Sequence, residues 1–251
     1  MAKIELRNVS LTFRIRQHGR FGLKEFIIRR LRKDASNPLI EVDALKNASL
    51  KVDNGERVGV VGANGAGKST LLRVISGVYP PTQGERVVEG RLDSLLDIGL
   101  GIEPHAKAWD NIAYRCYLHG DTPDEVRTKR ERVVEFSELG KFLHMPIRFF
   151  SAGMYVRFAF SVATAIDPEI LLLDEVFGAG DIGFRQKARR RMVELVDKAH
   201  ILVFVSHDLG AIRQFCNRVI WLEKGRVRED GPAEIILEKY TAHAGARQAS
   251  A

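Results

Sequence analysis

The sequence predicts an α/β fold with a mostly parallel core sheet. Short apolar runs of strand length, the strongest at residues 170–173 and 201–205, alternate with longer segments of helical period. Alternation of this kind favours parallel strands that are joined by helices. The length of 251 residues, with 45% hydrophobic and 28% charged side chains, fits one large domain better than two independent ones.

The N-terminal third predicts a β-rich region followed by a strand, a turn and a helix. Residues 4–13 and 39–52 are rich in β-forming side chains and predict an N-terminal antiparallel β subdomain. A basic insert at residues 14–38 separates these two blocks. Residues 57–61 predict a buried strand that runs into a glycine-rich turn, and residues 69–76 predict the helix that follows it.

The rest of the chain predicts an inserted helical subdomain and then a return to the sheet. Helical patterns fill the region from about residue 105 to residue 166. The elements predicted after it are a strand at 170–174, a basic helix at 184–198, a strand at 201–205, a helix at 209–216 and a hairpin over 219–228. Residues 240–251, which are small and polar from His243 onward, predict a short tail.

The positive charge of the chain predicts an anionic partner. The net charge is +7 and the pI is near 9.5, and nucleic acid, a membrane surface and nucleotide phosphates all qualify as partners. Residues 14–34 hold eight basic and two acidic side chains, so nearly the whole excess is local to the insert.

The sequence gives no sign of a membrane span or a secretion signal. No apolar run approaches the roughly 20 residues that cross a bilayer, and no apolar segment follows the N-terminus. Cys116 and Cys216 lie far apart and lack metal-type spacing, which indicates ordinary buried thiols in a reducing compartment. We therefore expect a cytosolic location.

The strongest chemical signal is a glycine-rich run that fits the phosphate-loop pattern between a predicted strand and a predicted helix. It reads Gly62-Ala63-Asn64-Gly65-Ala66-Gly67-Lys68-Ser69 and is followed by Thr70. Backbone N–H groups of such a loop cradle phosphates, Lys68 neutralises the β and γ phosphates, and Ser69 is placed to bind Mg²⁺. Asn64 and Thr70 are supporting candidates. The alternative is a glycine turn before a capped helix, and the flanking strand and helix favour the nucleotide site.

Polar side chains follow two of the predicted strands, at the sheet edge where α/β proteins bind ligands. Asp174 ends the strand at 170–174, and Glu175 directly follows it. Asp174 is suited to hold Mg²⁺ through water, and Glu175 to orient and deprotonate the attacking water. Two acids after a strand also fit a helix start, but the phosphate loop favours the functional interpretation. His207 follows the strand at 201–205 and is expected to reach the γ-phosphate and the water.

The segment Phe150-Ser151-Ala152-Gly153-Met154 opens a predicted helix and resembles the ABC signature, normally Leu-Ser-Gly-Gly-Gln. Alone it also fits an ordinary serine N-cap. Together with the phosphate loop, the Asp-Glu strand and His207, it makes nearly the whole chain resemble nucleotide-binding subunits of ABC transporters. The resemblance implies a P-loop NTPase of the ABC ATPase type that binds ATP and Mg²⁺ and dimerises. Ser151 and Gly153 of one copy would then close on ATP bound by the other.

The same resemblance assigns further residues. The loop Gly178-Ala179-Gly180-Asp181 replaces the common Ser-Ala-Leu-Asp, and Asp181 still fits the aspartate that reaches across the dimer. Phe13 matches the aromatic residue that stacks on adenine, and a buried core phenylalanine is the alternative. Residues 92–104 lack the usual loop glutamine, for which Asp97 and Glu103 are the candidate replacements.

The departures from the general pattern resemble one subfamily. Residues 150–163, in which Ala152 and Met154 replace Gly and Gln of the signature, and residues 174–181 are similar to ATPases of O-antigen, teichoic-acid and capsule exporters. The chain resembles their short form, without a C-terminal carbohydrate-binding domain. This resemblance implies a separate membrane permease as partner, a peripheral position at the cytoplasmic face of the plasma membrane, and export of a lipid-linked polysaccharide.

The basic insert fits a helix that lies at a membrane surface. Its apolar residues share one helical face, and its basic residues supply the charge. The apolar set is Phe21, Leu23, Phe26, Ile27 and Leu31, and the basic set is Lys24, Arg29, Arg30, Arg32 and Lys33. We expect it to meet anionic lipid or the lipid-pyrophosphate head group of the cargo. The alternative is a solvated basic face that packs on its own domain.

Two other functions fit parts of the sequence. A soluble ABC-type ATPase acting on nucleic acid or ribosomes would suit the pI. Such proteins usually carry two fused motor domains or a long insertion, whereas this chain has one uninterrupted motor, so no nucleic acid is expected. A regulatory subunit without turnover is disfavoured because Glu175 and His207 are both present.

Overall fold

A computed structural model describes residues 1–16, 39–174 and 182–248. Its N-terminal strands form a three-stranded antiparallel sheet of order β2-β1-β4, in which β1 is Lys3–Arg16, β2 is Leu39–Asp53 and β4 is Gln83–Glu89. This sheet is the predicted antiparallel β subdomain. Residues 17–38 of the predicted basic insert lie outside the described residues.

The second sheet has six strands, five of them parallel. Its strands are β3 Arg57–Val61, β5 Leu92–Leu95, β6 Ile170–Asp174, β7 Ile201–Val205, β8 Arg218–Glu223 and β9 Arg226–Pro232. They lie in the order β5-β6-β7-β3-β8-β9, and β9 pairs antiparallel with β8. The central strands β6 and β7 are almost wholly apolar because both faces of the sheet are covered.

Helices cover the sheet and form a separate layer beside it. They are α1 Lys68–Ile75, α2 Ala108–Leu118, α3 Pro123–Ser137, α4 Ala152–Ala163, α5 Ile182–Lys198, α6 Leu209–Phe215 and α7 Ala233–Gln248, with 3₁₀ turns at Gly140–His144 and Ile147–Phe149. Helix α7 runs through His243, so the described part of the segment predicted as a short tail is helical.

The predicted helical subdomain has its own hydrophobic core. Ile112 of α2, Val133 of α3 and Phe158 of α4 are each fully buried in one cluster. Helix α3 begins with a capping box, because the Thr122 and Glu125 side chains each accept a hydrogen bond from the other residue's backbone N–H. The inserted region therefore folds around contacts of its own.

Both cysteines are buried free thiols, as predicted. Burial raises the pKa of the Cys216 thiol to about 12 and that of Cys116 to about 11. Both groups are therefore protonated at neutral pH, and neither is a reactive thiolate.

The strand order brings the predicted chemistry to one edge. Because β6, β7 and β3 are parallel neighbours, their carboxyl ends lie side by side. Asp174 ends β6, His207 follows β7, and the glycine-rich run follows β3. The fold therefore places three sequence-distant segments around one crevice.

Candidate functional site

The phosphate loop wraps around its own lysine. The Lys68 side chain is buried, and its Nζ donates to the carbonyl oxygens of Gly62 at 2.7 Å and Ala63 at 3.2 Å. Lys68 is also the first residue of α1. The ammonium group is thus fixed at the positive end of a helix, where the two act together on an anion.

Two glycines of the loop are required by close contacts with the rest of the protein. A Cβ atom at Gly62 would lie 2.3 Å from the backbone oxygen of Leu222 in β8. Gly67 has a φ of +103°, and a Cβ there would lie 2.7 Å from the backbone oxygen of Ala44 in β2. The loop is therefore held between the two sheets in a conformation that excludes larger residues.

A cavity of about 430 Å³ opens over this loop. Its lining contains most of the predicted site residues, which come from the phosphate loop and from the ends of β6 and β7. The lining residues are Asn64, Gly65, Ala66, Gly67, Lys68, Ser69, Thr70, Leu96, Asp174, Val205 and His207. The structure therefore brings the phosphate loop, the candidate metal ligand and the candidate histidine together, and Gly62 joins them through its bond to Lys68.

The cavity suits a magnesium ion together with phosphates. Ser69 and Asp174 supply oxygen atoms, the donors that Mg²⁺ prefers. Mg²⁺ usually takes one or two protein ligands and completes its shell with phosphate oxygens and water. The described residues contain no group of three or more His, Cys, Asp or Glu side chains that could hold a metal, so a dedicated protein cage is absent from this part of the chain.

His207 projects from a rigid turn at the end of β7. The backbone N–H of Asp208 donates to Ser206 Oγ at 3.0 Å. The Asp208 carboxylate in turn accepts from the N–H groups of Gly210 and Ala211 and caps helix α6. His207 is exposed and lines the cavity, so its side chain is accessible to a bound nucleotide.

Two predicted site residues lie outside the described residues. Glu175 directly follows Asp174, and Asp181 directly precedes the first residue of α5. Their roles as general base and as cross-dimer aspartate stay predictions.

The signature residues cap a helix but do not line the cavity. Ser151 Oγ accepts the N–H of Met154 at 3.2 Å at the start of α4, as the N-cap reading of this segment requires. Ser151 and Gly153 are both exposed, and a Cβ at Gly153 would meet no atom within 4 Å. The described protomer therefore leaves this helix start uncovered.

Phe13 and the two candidate loop acids also lie away from the cavity lining. Phe13 is half-buried, and its ring contacts the ring of Tyr79 at a centroid distance of 5.3 Å. Asp97 Oδ1 accepts from Gly99 N, and Glu103 Oε1 accepts from His105 N. Leu96 lines the cavity instead. Sequence reasoning missed it because an apolar residue just after a strand has no chemical signature. The adenine role of Phe13 and the stand-in role of the acids stay predictions.

The chain matches the model of one protein family and is similar to three known proteins. The family described as ABC transporter matches residues 45–178, more than half of the chain. An O-antigen export system ATP-binding protein, RfbB of Klebsiella pneumoniae, is 38% identical over 94% of this chain and 96% of its own length. RfbB of Myxococcus xanthus is 38% identical over 95% of this chain, which spans only 55% of that protein. A teichoic acids export ATP-binding protein, TagH of Listeria innocua, is 34% identical over 93% of this chain and 70% of its own length.

Solved structures share the fold. An ATP-binding subunit of an ABC transporter is 21% identical and covers 95% of this chain and 93% of its own, with a TM-score of 0.68. A dimeric ATP-binding cassette, MJ0796, bound to ADP and Pi, is 23% identical and covers 92% of this chain and 98% of its own, with a TM-score of 0.65. At this identity the likeness concerns the architecture alone.

Proposed function

The chain belongs to the ABC transporter family, and from that membership we propose that it is the ATP-hydrolysing subunit of an exporter, which drives a lipid-linked polysaccharide through a separate membrane permease. The observation that carries the proposal is the single cavity in which Lys68, Ser69, Asp174 and His207 meet. The names of the relatives, O-antigen and teichoic acids export proteins, support the polysaccharide cargo.

Each group at the site has its own role in phosphoryl transfer. Lys68 and the loop N–H groups bind the β and γ phosphates and hold the triphosphate in line for attack. Ser69 and Asp174 would hold Mg²⁺, which would supply positive charge to the phosphate oxygens. His207, which lines the same cavity after the end of β7, is proposed to contact the γ-phosphate. Glu175, which directly follows Asp174 in the sequence, is proposed to take the proton of the attacking water.

ATP hydrolysis by purified protein tests this assignment. Glu175→Gln keeps the shape of the side chain but removes its basicity, so we expect nucleotide affinity to persist while turnover falls by a factor of about 100 or more. Glu194→Gln, at an exposed position on α5, is the matched control and should hydrolyse ATP at the wild-type rate. Turnover of Glu175→Gln at the wild-type rate would refute the general-base role.

The uncovered start of α4 supports a dimer of two copies. A glycine inside a helix costs roughly 0.5–1 kcal/mol relative to alanine. Nothing within 4 Å would meet a Cβ at Gly153, so no contact in the described protomer explains the glycine. A phosphate bound by a second copy provides the reason, because a helix N-terminus that approaches it needs an unobstructed backbone. We therefore propose that Ser151 and Gly153 complete the nucleotide site of the partner.

An exposed apolar patch supports the permease as partner. The patch consists of Leu100, Tyr114, Tyr117 and Leu118, whose exposed fractions run from 46% to 73%. Arg115 Nη1 donates to the carbonyl oxygen of Leu100 at 2.6 Å and thereby ties the loop after β5 to helix α2. The same loop contains Leu96 of the nucleotide cavity. A cytoplasmic segment of the permease that docks on this patch would therefore be joined to the nucleotide site by a few residues.

A peripheral position at the cytoplasmic face of the membrane follows from this partnership. Across residues 1–16, 39–174 and 182–248, no helix is long and apolar enough to span a bilayer. The basic insert is proposed to meet anionic lipid or the pyrophosphate head group of the cargo. Exchange of Arg29, Arg30 and Arg32 for glutamate should therefore reduce export in cells while basal ATPase activity persists. Unchanged export by that variant would refute the head-group role.

A further inference from the structure

Phe13 lies where the N-terminal sheet narrows to two strands. The pairing of β1 with β4 ends at Ser10 and Gln83, whereas the pairing of β1 with β2 continues to Arg16 and Leu39. A two-stranded ribbon is only marginally stable in water. An aromatic side chain on such a ribbon therefore keeps a fixed orientation only if another element supports it.

Within the described residues, the ring of Tyr79 supplies part of that support. The ring of Tyr79 meets the ring of Phe13 edge to face, at a centroid distance of 5.3 Å and an interplanar angle of 81°. This is a favourable geometry for two aromatic rings. Both side chains are half-buried against the hydrophobic cluster between the two sheets. Val42, which pairs with Phe13 across the ribbon, is 44% exposed.

Tyr79 is itself attached to the helix that begins at the phosphate loop. Its backbone N–H donates to the carbonyl oxygen of Arg73 in α1 at 3.1 Å, and the Arg73 guanidinium lies 5.8 Å from the ring centroid of Tyr79. Thr82, three residues further on, donates from its N–H and its hydroxyl to the carbonyl oxygen of Ser10. The segment that carries Tyr79 is therefore fixed at both ends, to α1 and to β1.

We propose that Tyr79 is a positioning residue for the nucleotide base. It holds the ring of Phe13 at a fixed distance and angle from helix α1, so the base and the phosphates are bound in one geometry. Tyr79 makes no contact with the nucleotide in this account and acts through Phe13. The inference rests on the proposed function as an ATPase and on the predicted stacking of Phe13 on adenine.

Two ligands separate base binding from phosphate binding. A non-hydrolysable ATP analogue requires both subsites, whereas inorganic tripolyphosphate requires the phosphate loop alone. Each is titrated into the full chain by calorimetry, for the wild type and for three variants. Tyr79→Leu removes the supporting ring, Tyr79→Phe keeps it, and Phe13→Leu removes the stacking surface itself.

We expect Tyr79→Leu to bind the ATP analogue about 3- to 10-fold more weakly, on the scale of one aromatic pair. Tripolyphosphate affinity should stay at the wild-type value, and Tyr79→Phe should restore the affinity for the analogue. Phe13→Leu should bind the analogue about 5- to 150-fold more weakly and tripolyphosphate with wild-type affinity, because base stacking on an aromatic ring is worth about 1–3 kcal/mol.

Three results would overturn the inference, and they differ from one another. Weakened analogue binding by Phe13→Leu together with wild-type binding by Tyr79→Leu would leave base stacking intact and refute the role of Tyr79. Equal weakening of both ligands by Tyr79→Leu would show a general structural role. Wild-type analogue binding by Phe13→Leu would refute the predicted stacking of Phe13 on adenine, and the inference with it.

Discussion

At the scale of single residues, no contact within the described protomer explains Gly153, whereas the proposed dimer does. This glycine lies in the first turn of α4, with space for a methyl group and no left-handed backbone angle. The protomer alone would be served better by alanine, the best helix former. Gly62 is the opposite case, because its added Cβ would meet the backbone of β8 at 2.3 Å within the same chain.

This contrast predicts opposite effects of Gly153→Ala on stability and on activity. The free energy of unfolding of the nucleotide-free chain should rise by up to about 1 kcal/mol, because alanine favours the helix. ATPase activity should fall severalfold, because the methyl group would obstruct phosphate bound by the second copy. Thermal unfolding and ATPase assays on the same sample measure both effects. A stabilised variant with wild-type turnover would contradict the role assigned to the start of α4.

At the scale of elements, a buried ion-pair cluster joins the helical subdomain to the parallel sheet. Asp121, in the turn between α2 and α3, accepts hydrogen bonds from Arg91 next to β5 and from Lys129 on α3. The side chains of Asp121 and Lys129 are 2% and 7% exposed. Burial alone would raise the pKa of Asp121, but Lys129 and Arg91 outweigh it, so the pKa lies below its ordinary value.

The lowered pKa of Asp121 gives its stability contribution a defined pH dependence. The contribution is fully present above the ordinary aspartate pKa near 4, and it is lost as the pH falls through the lower folded-state value. Asp121→Asn leaves the Lys129 ammonium buried without its carboxylate, so the free energy of unfolding at pH 7 should drop by about 3 kcal/mol. Urea unfolding at a series of pH values should show this difference shrinking below about pH 4. A difference that is independent of pH would contradict the ionic account.

The apolar patch on α2 makes a second prediction at this scale. Leu118 is 73% exposed, so a charge there costs the isolated protein little. Leu118→Glu should therefore unfold at the wild-type temperature and hydrolyse ATP normally in isolation. It should be lost from membranes when it is co-expressed with the permease, because a carboxylate would be buried at the docking surface. Val78→Glu is a matched control at another exposed apolar position, 60% exposed in the loop after α1. Membrane recovery of Leu118→Glu equal to that of Val78→Glu would exclude the patch as the docking surface for the permease.

At the scale of the whole molecule, local signals predicted most of the fold. The strands β3, β6 and β7 and the phosphate loop were readable because buried strands, glycines and a lysine leave a pattern within a few residues. Helix α7, Ala233–Gln248, was not predicted, because its residues give no amphipathic pattern. Its place is set by remote contacts, in which Tyr240 and His243 pack against Trp221 of β8.

The candidate site was predictable in part for the same reason. Lys68, Asp174 and His207 follow strand ends, so strand order alone brings them together once the sheet is parallel. Leu96 has no chemical signature, and its place in the lining follows from tertiary packing. Ser151 could be predicted as a helix cap, but its partner lies outside the protomer. The sequence of one chain does not indicate the distance or orientation of a contact with a second copy.

Sedimentation velocity of Glu175→Gln shows whether two copies of the chain clamp ATP between them. This variant should bind ATP without consuming it, so the assembled state should accumulate. We expect a monomer of 28.2 kDa without nucleotide and a species of twice that mass with saturating ATP and Mg²⁺. A chain that binds ATP at saturation and still sediments as a monomer would contradict the account.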